Sequence, residues 1–82
     1  MRFTVIWRRR AQGELANVWI NSSDRQAVSD AAARIDRILR IDPHLRGRPF
    51  DGDRILVEEP LAAVFTIDPG DRKVEVLAVW HL

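Results

Sequence analysis

The spacing of apolar residues changes at Asp42-Pro43, and this change constrains the fold more than any other feature of the sequence. Before this dipeptide, one alternating segment precedes two segments with helical spacing. After it, three apolar segments separated by turn residues are typical of strands. The order β-α-α-β-β-β predicts a single domain over residues 1–82. We expect an α+β fold in which a helix hairpin packs on a four-stranded, mainly antiparallel sheet.

The chain opens with an alternating segment and then a helical one. Phe3, Val5 and Trp7 occupy alternate positions, which predicts a strand with these residues facing the core. The next segment has helical spacing, and its predicted apolar face consists of Ala11, Leu15, Val18 and Trp19. Gly13 lies in this segment, where it either weakens the helix by about 1 kcal/mol relative to alanine or allows a close backbone approach.

A second helical segment follows a polar break at residues 21–23. Ser23 and Gln26 have the spacing of a capping box, which predicts the start of the helix, and Asp24 favours the helix dipole. The predicted core face consists of Val28, Ala32, Ile35 and Leu39. On the outer face we expect two ion pairs, Asp30–Arg34 and Asp36–Arg40. Pro43 ends the helix.

The second half of the chain predicts a loop and three strands. Residues 43–53 are rich in turn residues. The predicted strands are Arg54–Val57, Leu61–Ile67 and Val74–Trp80. Short turns at Glu59-Pro60 and residues 68–71 predict antiparallel neighbours. We expect the first strand to pair with the second or the last strand.

Composition excludes several classes of protein. The chain has no cysteine, which excludes disulfides and a cysteine-based zinc site. Its longest apolar stretch, Leu61–Ile67, is far shorter than the roughly 20 residues of a membrane-spanning helix. The N-terminal residues run directly into a strand pattern, so we expect no signal peptide and a cytoplasmic protein that does not bind membranes. Neither a P-loop nor paired metal-binding histidines occur, so His44 is expected in a loop, and we expect no metal or cofactor.

Four passages, taken in order, resemble the RelE/ParE toxin superfamily of type II toxin–antitoxin systems. They are FTVIWRRRAQGELANVW, DRQAVSDAAARIDRILRIDP, GRPFDGDRILV and VFTIDPGDRKVEVLAVWHL. The third resembles the family's G-x-P-L-x-G-x-R-x-L passage, with Phe50 in place of the leucine and Arg54 as the arginine. The resemblance covers nearly the whole chain. It implies a short ParE-like toxin that inhibits growth or stabilises a plasmid, and that forms a hetero-oligomer with a cognate antitoxin.

The sequence departs from the RelE-like ribonucleases of this superfamily. Those proteins carry an arginine at the start of the third strand, where this chain has Ala62, and often a catalytic tyrosine after the last strand. Metal-free RNA cleavage requires a base, an acid and cations that stabilise the phosphorane. Arg54 and His81 are the remaining catalytic candidates if the chain cleaves RNA on the open face of its sheet.

Three functions therefore remain open. ParE-like members resemble this chain in lacking a full ribonuclease set and are described as inhibitors of DNA gyrase. The resemblance thus favours a toxin that binds a cellular target, with gyrase as one candidate, over an enzyme. The alternative is a metal-independent mRNA endoribonuclease that acts on the ribosome or on free RNA. A second alternative is a degenerate domain that binds antitoxin without toxicity.

Arginines and tryptophans supply the binding candidates, because arginine suits phosphate and carboxylate partners. We expect the antitoxin to contact the helix hairpin or the sheet edge with apolar anchors and acidic side chains. The candidate antitoxin contacts are Arg8, Arg9, Arg10, Trp19, Arg34 and Arg37. Candidate contacts with a target or a phosphate are Arg46, Arg48, Arg54 and Trp80. Each of these residues also has a purely structural interpretation, as a solvent-facing charge, an ion pair or a core aromatic.

Overall fold

A computed structural model describes residues 2–82 of the chain. These residues form two α-helices, five strands and one 3-10 turn at Pro43–Leu45. In chain order the elements are β1 (Thr4–Trp7), α1 (Arg9–Asn21), α2 (Arg25–Leu39), β2 (Arg48–Phe50), β3 (Asp53–Glu58), β4 (Leu61–Asp68) and β5 (Lys73–His81). The predicted helix hairpin and the three predicted C-terminal strands are confirmed. No helix within residues 2–82 has both the length and the apolar character needed to cross a membrane.

The strands form one sheet in the order β1-β5-β4-β3-β2. β1 pairs with the last strand, β5, and runs parallel to it. The other neighbouring strands are antiparallel. The parallel pair follows from the connectivity, because the helix hairpin and the three intervening strands separate β1 from β5 along the chain. The sheet is therefore mainly antiparallel, as predicted, with β1 beside the last strand.

The fifth strand, β2, corrects the prediction of a loop over residues 43–53 and of a four-stranded sheet. β2 pairs with β3 through a tight turn in which Asp51 and Gly52 have φ angles of 48° and 85°. Gly47 precedes the strand with a φ angle of 62°, and a Cβ atom there would lie 2.2 Å from the carbonyl oxygen of Ile55. β2 has no recognisable strand pattern because it is short and contains Pro49, which is tolerated at a sheet edge.

The helix hairpin packs on one face of the sheet and encloses the core. The fully buried residues include four of the predicted core positions, Ala11, Val28, Ile35 and Leu39. Ala31 is also fully buried, whereas Ala32 is half-buried. The core face of α2 is therefore centred nearer to Ala31 than predicted. Trp19, predicted on the core face of α1, instead keeps 41% of its surface exposed.

The start of α2 differs from the predicted capping box. Asp24 is the N-cap, and its carboxylate accepts the backbone N–H of Ala27 at 3.0 Å. Gln26 does not reach back to Ser23 but donates to Asp30 at 2.8 Å. Aspartate and serine are comparable N-cap residues, so the cap is satisfied one position later than predicted.

One predicted ion pair on α2 forms and the other does not. Asp36 and Arg40 are joined at 2.8 Å, as predicted. Arg34 turns away from Asp30 and joins Glu58 of β3 at 3.0 Å, which ties the helix to the sheet. Gly13 of α1 makes no close backbone approach, because no atom outside its immediate surroundings lies within 4 Å of the position of a Cβ atom.

Candidate functional site

A groove of about 860 Å³ lies between α1 and α2 and extends to Trp7 of β1. Its lining is largely apolar and includes Trp19 and Ile20 at one end. Small side chains also line it, at Ala16, Ala32 and Ala33. Because these alanines leave space that larger residues would fill, the hairpin presents a depression rather than a ridge. The groove is therefore an unfilled apolar surface that borders the core, to which Val28 also belongs.

Hydrogen bonds of polar side chains join the two helices that form the groove to β1 at the edge of the sheet. The indole N–H of Trp7 donates to Oδ1 of Asp36 at 3.2 Å, and Arg40 donates to Oδ2 of the same carboxylate at 2.9 Å. Gln12 donates to the backbone carbonyl of Trp7 at 2.8 Å. Both oxygens of Asp36 are thus engaged within the chain. The groove offers a shaped apolar surface rather than a free acid or base.

Trp19 stands at the tip of the hairpin, held by the first residues of α2. Its indole N–H donates to Oγ of Ser29 at 3.0 Å. The guanidinium carbon of Arg25 lies 4.8 Å from the ring centroid. Arg25 also donates to the backbone carbonyls of Trp19 and Ile20 at 3.2 and 3.0 Å. One arginine therefore stacks on the indole ring and satisfies two carbonyls at the C-terminal end of α1.

Unpaired positive charge lies at the opposite end of the groove. Arg9 begins α1 three residues before Gln12, and Arg37 follows Ala33 of α2 by one helical turn, so both continue the faces that line the groove. Within residues 2–82, neither side chain forms an ion pair or a hydrogen bond. The groove is therefore largely apolar, and two arginines without ion pairs lie at this end.

The other predicted antitoxin contacts have partners within the chain. Arg8 forms an ion pair with Glu75 of β5. Arg10 lies 3.4 Å from the carboxylate of Glu14. Arg34 donates to Glu58 and to the backbone carbonyl of Glu59. Arg8 and Arg34 tie the start of α1 and the middle of α2 to the sheet, whereas the Arg10 contact lies within α1. Arg9, Arg37 and Trp19 are the more accessible candidates.

The face of the sheet away from the helices carries a second apolar surface. The register places Ala62 and Val64 of β4 on this face, with Trp80 of β5 directly opposite Ala62. The ring centroids of Trp80 and Phe50 lie 6.3 Å apart, with ring planes tilted by 45°. Ala62 and Val64 are only 1% and 8% exposed although no helix covers them. We attribute this burial to the two aromatic side chains, which meet from strands on either side of β4.

The structure does not bring Arg54 and His81 together. Arg54 lies opposite Phe65 and His81 lies opposite Leu61, and these two β4 residues both face the helices. Both candidates therefore lie on the helix side of the sheet rather than on the open face. Their β4 partners, Leu61 and Phe65, are four residues apart, so Arg54 and His81 are separated by about 13 Å along the strand direction at 3.3 Å per residue.

Each of these two residues has a local structural role. The guanidinium of Arg54 donates to the backbone carbonyls of Arg46 and Gly47 at 3.0 and 3.1 Å, which holds the turn before β2. Nδ1 of His81 lies 2.7 Å from the backbone oxygen of Leu82. His81 also lines a smaller cavity of about 480 Å³ beside the end of α1. Within residues 2–82, the hydrogen bonds of both side chains go to backbone oxygens and not to an acid or a base.

Arg48 joins the aromatic pair on the open face, because it lies two residues before Phe50 on β2. Within residues 2–82, the side chains of Arg46 and Arg48 have no ion-pair partner. Of the predicted target contacts, Arg48 and Trp80 therefore share one face, whereas Arg54 lies on the other. No group of three or more histidine, cysteine, aspartate or glutamate side chains within residues 2–82 is placed to hold a metal ion.

Two solved structures resemble the whole chain. A chain of the toxin–antitoxin complex RelBE2 from Mycobacterium tuberculosis superposes with a TM-score of 0.82 and 19% sequence identity, covering 100% of this chain and 93% of that one. A chain of the chromosomal ParDE toxin–antitoxin system of P. aeruginosa superposes with a TM-score of 0.79 and 20% identity, covering 99% and 97%. The chain has the RelE/ParE toxin fold. No protein-family model matches the sequence, and comparison with curated proteins finds no significant match.

The open face of this RelE/ParE fold is apolar around Ala62 of β4. Ala62 occupies the position at which the resemblance to the ribonucleases leads one to expect an arginine, and it lies beneath Trp80. A methyl group and an indole ring supply neither a general acid nor a cation at this point.

Sequence reasoning missed several residues of both surfaces of this RelE/ParE fold. Phe50 gave a weak signal, as an exposed aromatic within a turn-rich segment. Arg25 and Ser29 gave none, because their contacts with Trp19 depend on how the two helices meet. The groove itself depends on three alanines whose small size is ordinary in helices.

Proposed function

We propose that this protein is the toxin of a toxin–antitoxin pair and that its helix hairpin binds the cognate antitoxin. The apolar groove between α1 and α2 is the observation that supports this proposal most strongly. An apolar groove between two helices is a surface on which a partner's amphipathic segment can lay its apolar face. The similarity to chains of two toxin–antitoxin complexes supports an antitoxin as that partner.

The antitoxin segment that fits this groove is amphipathic. Its apolar side chains fill the depression over Ala16, Ala32 and Ala33, and its acidic side chains pair with Arg9 and Arg37. The exposed Trp19 supplies an anchor of the kind that dominates binding energy at protein interfaces. The toxin and antitoxin then form a hetero-oligomer in the cytoplasm, and its dissociation frees the toxin.

We further propose that the free protein acts by binding a target and not by cutting RNA. The separation of Arg54 from His81 and the apolar surroundings of Ala62 support this mechanism. The open face, with Trp80 and Phe50 beside Arg48, is the candidate contact surface. DNA gyrase is the target that the ParE-like resemblance suggests.

Induced expression in a bacterial host tests both parts. We expect growth to stop, transcripts to remain intact, and growth to resume when the neighbouring antitoxin reading frame is co-expressed. Transcripts cut after induction would contradict the binding mechanism and indicate a ribonuclease. Normal growth on induction would contradict the toxin function and indicate a domain that only binds antitoxin.

The double variant W80A/R48A, with Arg2→Ala as its control, locates the target surface. Arg2 is exposed and its side chain has no ion pair within residues 2–82. We expect the double variant to lose growth inhibition while the control retains it. Equal toxicity of the two variants, at equal protein levels, would place the target surface elsewhere.

A further inference from the structure

We propose that Trp19, Arg25 and Ser29 form a preassembled recognition site, the hairpin-tip site, for an apolar side chain flanked by a carboxylate on a helical segment of the partner. The inference rests on the proposed function, because it takes the antitoxin as the occupant of the groove. These three residues then determine which partner binds, by selecting an apolar side chain and a carboxylate beside it.

The indole of Trp19 is held in one orientation before any partner arrives. Its N–H bonds Ser29 at 3.0 Å, and one ring face lies against the guanidinium of Arg25 at 4.8 Å. Arg25 is itself fixed by two backbone carbonyls of α1. Trp19 is 41% exposed, and its indole is thus presented as a rigid surface, so binding costs little side-chain entropy.

Arg25 keeps charge available for the partner. It forms no ion pair within residues 2–82, and its hydrogen bonds use Nε and Nη2 and leave Nη1 without a partner. A guanidinium has five N–H groups in a planar fork that matches a carboxylate. A glutamate or aspartate beside the side chain that contacts Trp19 therefore completes the site.

The spacing of charges along the groove indicates a helical occupant. Arg25 lies at one end of the groove, where it bonds the carbonyl of Ile20. Arg9 lies at the other end, eleven residues before Ile20 on α1. Eleven residues of helix span about 16 Å at a rise of 1.5 Å per residue. A partner helix of about three turns, acidic at both ends and apolar between them, matches this arrangement. The intervening lining is apolar, which disfavours a nucleic acid, since phosphates require cations along their path.

Binding of two designed peptides to the purified protein tests the site. The first is a capped 16-residue helical peptide with a leucine face and glutamates in its first and last turns, labelled for fluorescence anisotropy. The second has glutamine in place of glutamate in the turn that reaches Arg25. The variants are Trp19→Ala, Arg25→Gln and Ser29→Ala. The control is Arg72→Gln, at an exposed residue in the β4–β5 turn. Circular dichroism and Tm confirm that each variant folds.

We expect the wild type and R72Q to bind the glutamate peptide equally and W19A to bind it about tenfold or more weakly, as for a hot-spot residue. Exchanging glutamate for glutamine should weaken binding to the wild type but leave binding to R25Q unchanged, because the two changes remove the same contact. S29A should bind more weakly than wild type, since the indole loses its orienting hydrogen bond.

Several outcomes overturn the proposal. Equal affinity of W19A and wild type removes Trp19 from the site, and an equal effect of the glutamine exchange on R25Q and wild type removes the carboxylate. A wild-type dimer that W19A dissociates identifies a second copy of the chain as the occupant. The growth assay is independent, so a protein that binds the peptides as expected but does not inhibit growth keeps the site and loses the toxin function.

Discussion

The carboxylate of Glu14 on α1 accepts the backbone N–H of Val79 on β5 at 3.1 Å, across 65 positions of the chain. β1 pairs with β5 only from Lys73 to Val76, so the outer edge of β5 is open beyond that point. Glu14 satisfies a donor on this open edge and fastens α1 beside the sheet. The Glu14 side chain thus provides the acceptor that a longer β1 would otherwise supply.

Glu14→Ala is expected to lower the free energy of unfolding by about 1–3 kcal/mol, because a half-buried N–H loses a charged acceptor. Glu59→Ala removes an equivalent charge at an exposed position and serves as the control. Urea denaturation measures both variants. Equal stability of the two variants would show that the bond to Val79 contributes nothing.

Gly47 and Gly13 are expected to respond oppositely to alanine. Gly47→Ala places a Cβ atom 2.2 Å from the Ile55 carbonyl oxygen at a φ angle of 62°, so it should cost about 1–3 kcal/mol or more. Gly13→Ala meets no atom within 4 Å and should stabilise α1 by up to about 1 kcal/mol. Thermal unfolding of both variants measures the difference, and a stabilised G47A would contradict the tight approach to β3.

The cap of α2 is expected to depend on Asp24 and not on Ser23. Asp24→Ala removes the acceptor of the Ala27 N–H and should cost about 1 kcal/mol, whereas Ser23→Ala should change stability by less than about half of that. Denaturation midpoints distinguish the two. A larger loss of stability for S23A than for D24A would support the capping box that the sequence predicts.

Glu75 is expected to make stability pH-dependent in acid. The hydrogen bond from Arg8 lowers the pKa of Glu75 below the ordinary glutamate value of 4.5, with burial opposing this shift and Lys73 adding to it. Since the folded state holds the carboxylate charged, this contribution is present above the unfolded pKa and is lost as the pH falls through the folded pKa. Glu75→Gln should therefore flatten the acid limb of the stability curve below about pH 4.5, and an unchanged limb would contradict the pairing.

Arg54 and His81 are expected to be dispensable for growth inhibition. Because they lie on the helix side of the sheet and at different levels, H81A should retain full toxicity without altering transcripts. Arg54→Ala should reduce stability through the turn before β2, and its toxicity should fall only in proportion to the amount of folded protein. Loss of toxicity in well-folded H81A would show that His81 is required for growth inhibition.

The sequence predicted those parts of the fold that follow from local periodicity. The alternation of Phe3, Val5 and Trp7 and the helical spacing of Ile35 and Leu39 report burial directly, since each residue faces the core or solvent according to its element. Alternation along β3 likewise places Arg54 on the same face as the buried Leu56. The strand pattern therefore already implied that Arg54 lies away from the open face.

The features that the sequence did not predict depend on contacts between distant segments. β2 forms because Gly47 allows a close approach to β3, which its own three residues do not encode. Arg34 pairs with Glu58 only once α2 lies on the sheet. The groove and the support of Trp19 by Arg25 likewise arise where two helices meet, beyond the reach of a pattern within either helix.

Growth of cells that co-express the antitoxin tests whether the helix hairpin is the surface that the antitoxin binds. Wild type and W19A are each induced together with the neighbouring antitoxin reading frame, at matched protein levels. The account predicts that the antitoxin restores growth against the wild type but not against W19A, which remains toxic because its groove has lost the anchor. Full neutralisation of W19A would contradict the claim that the helix hairpin is the surface by which this protein is controlled.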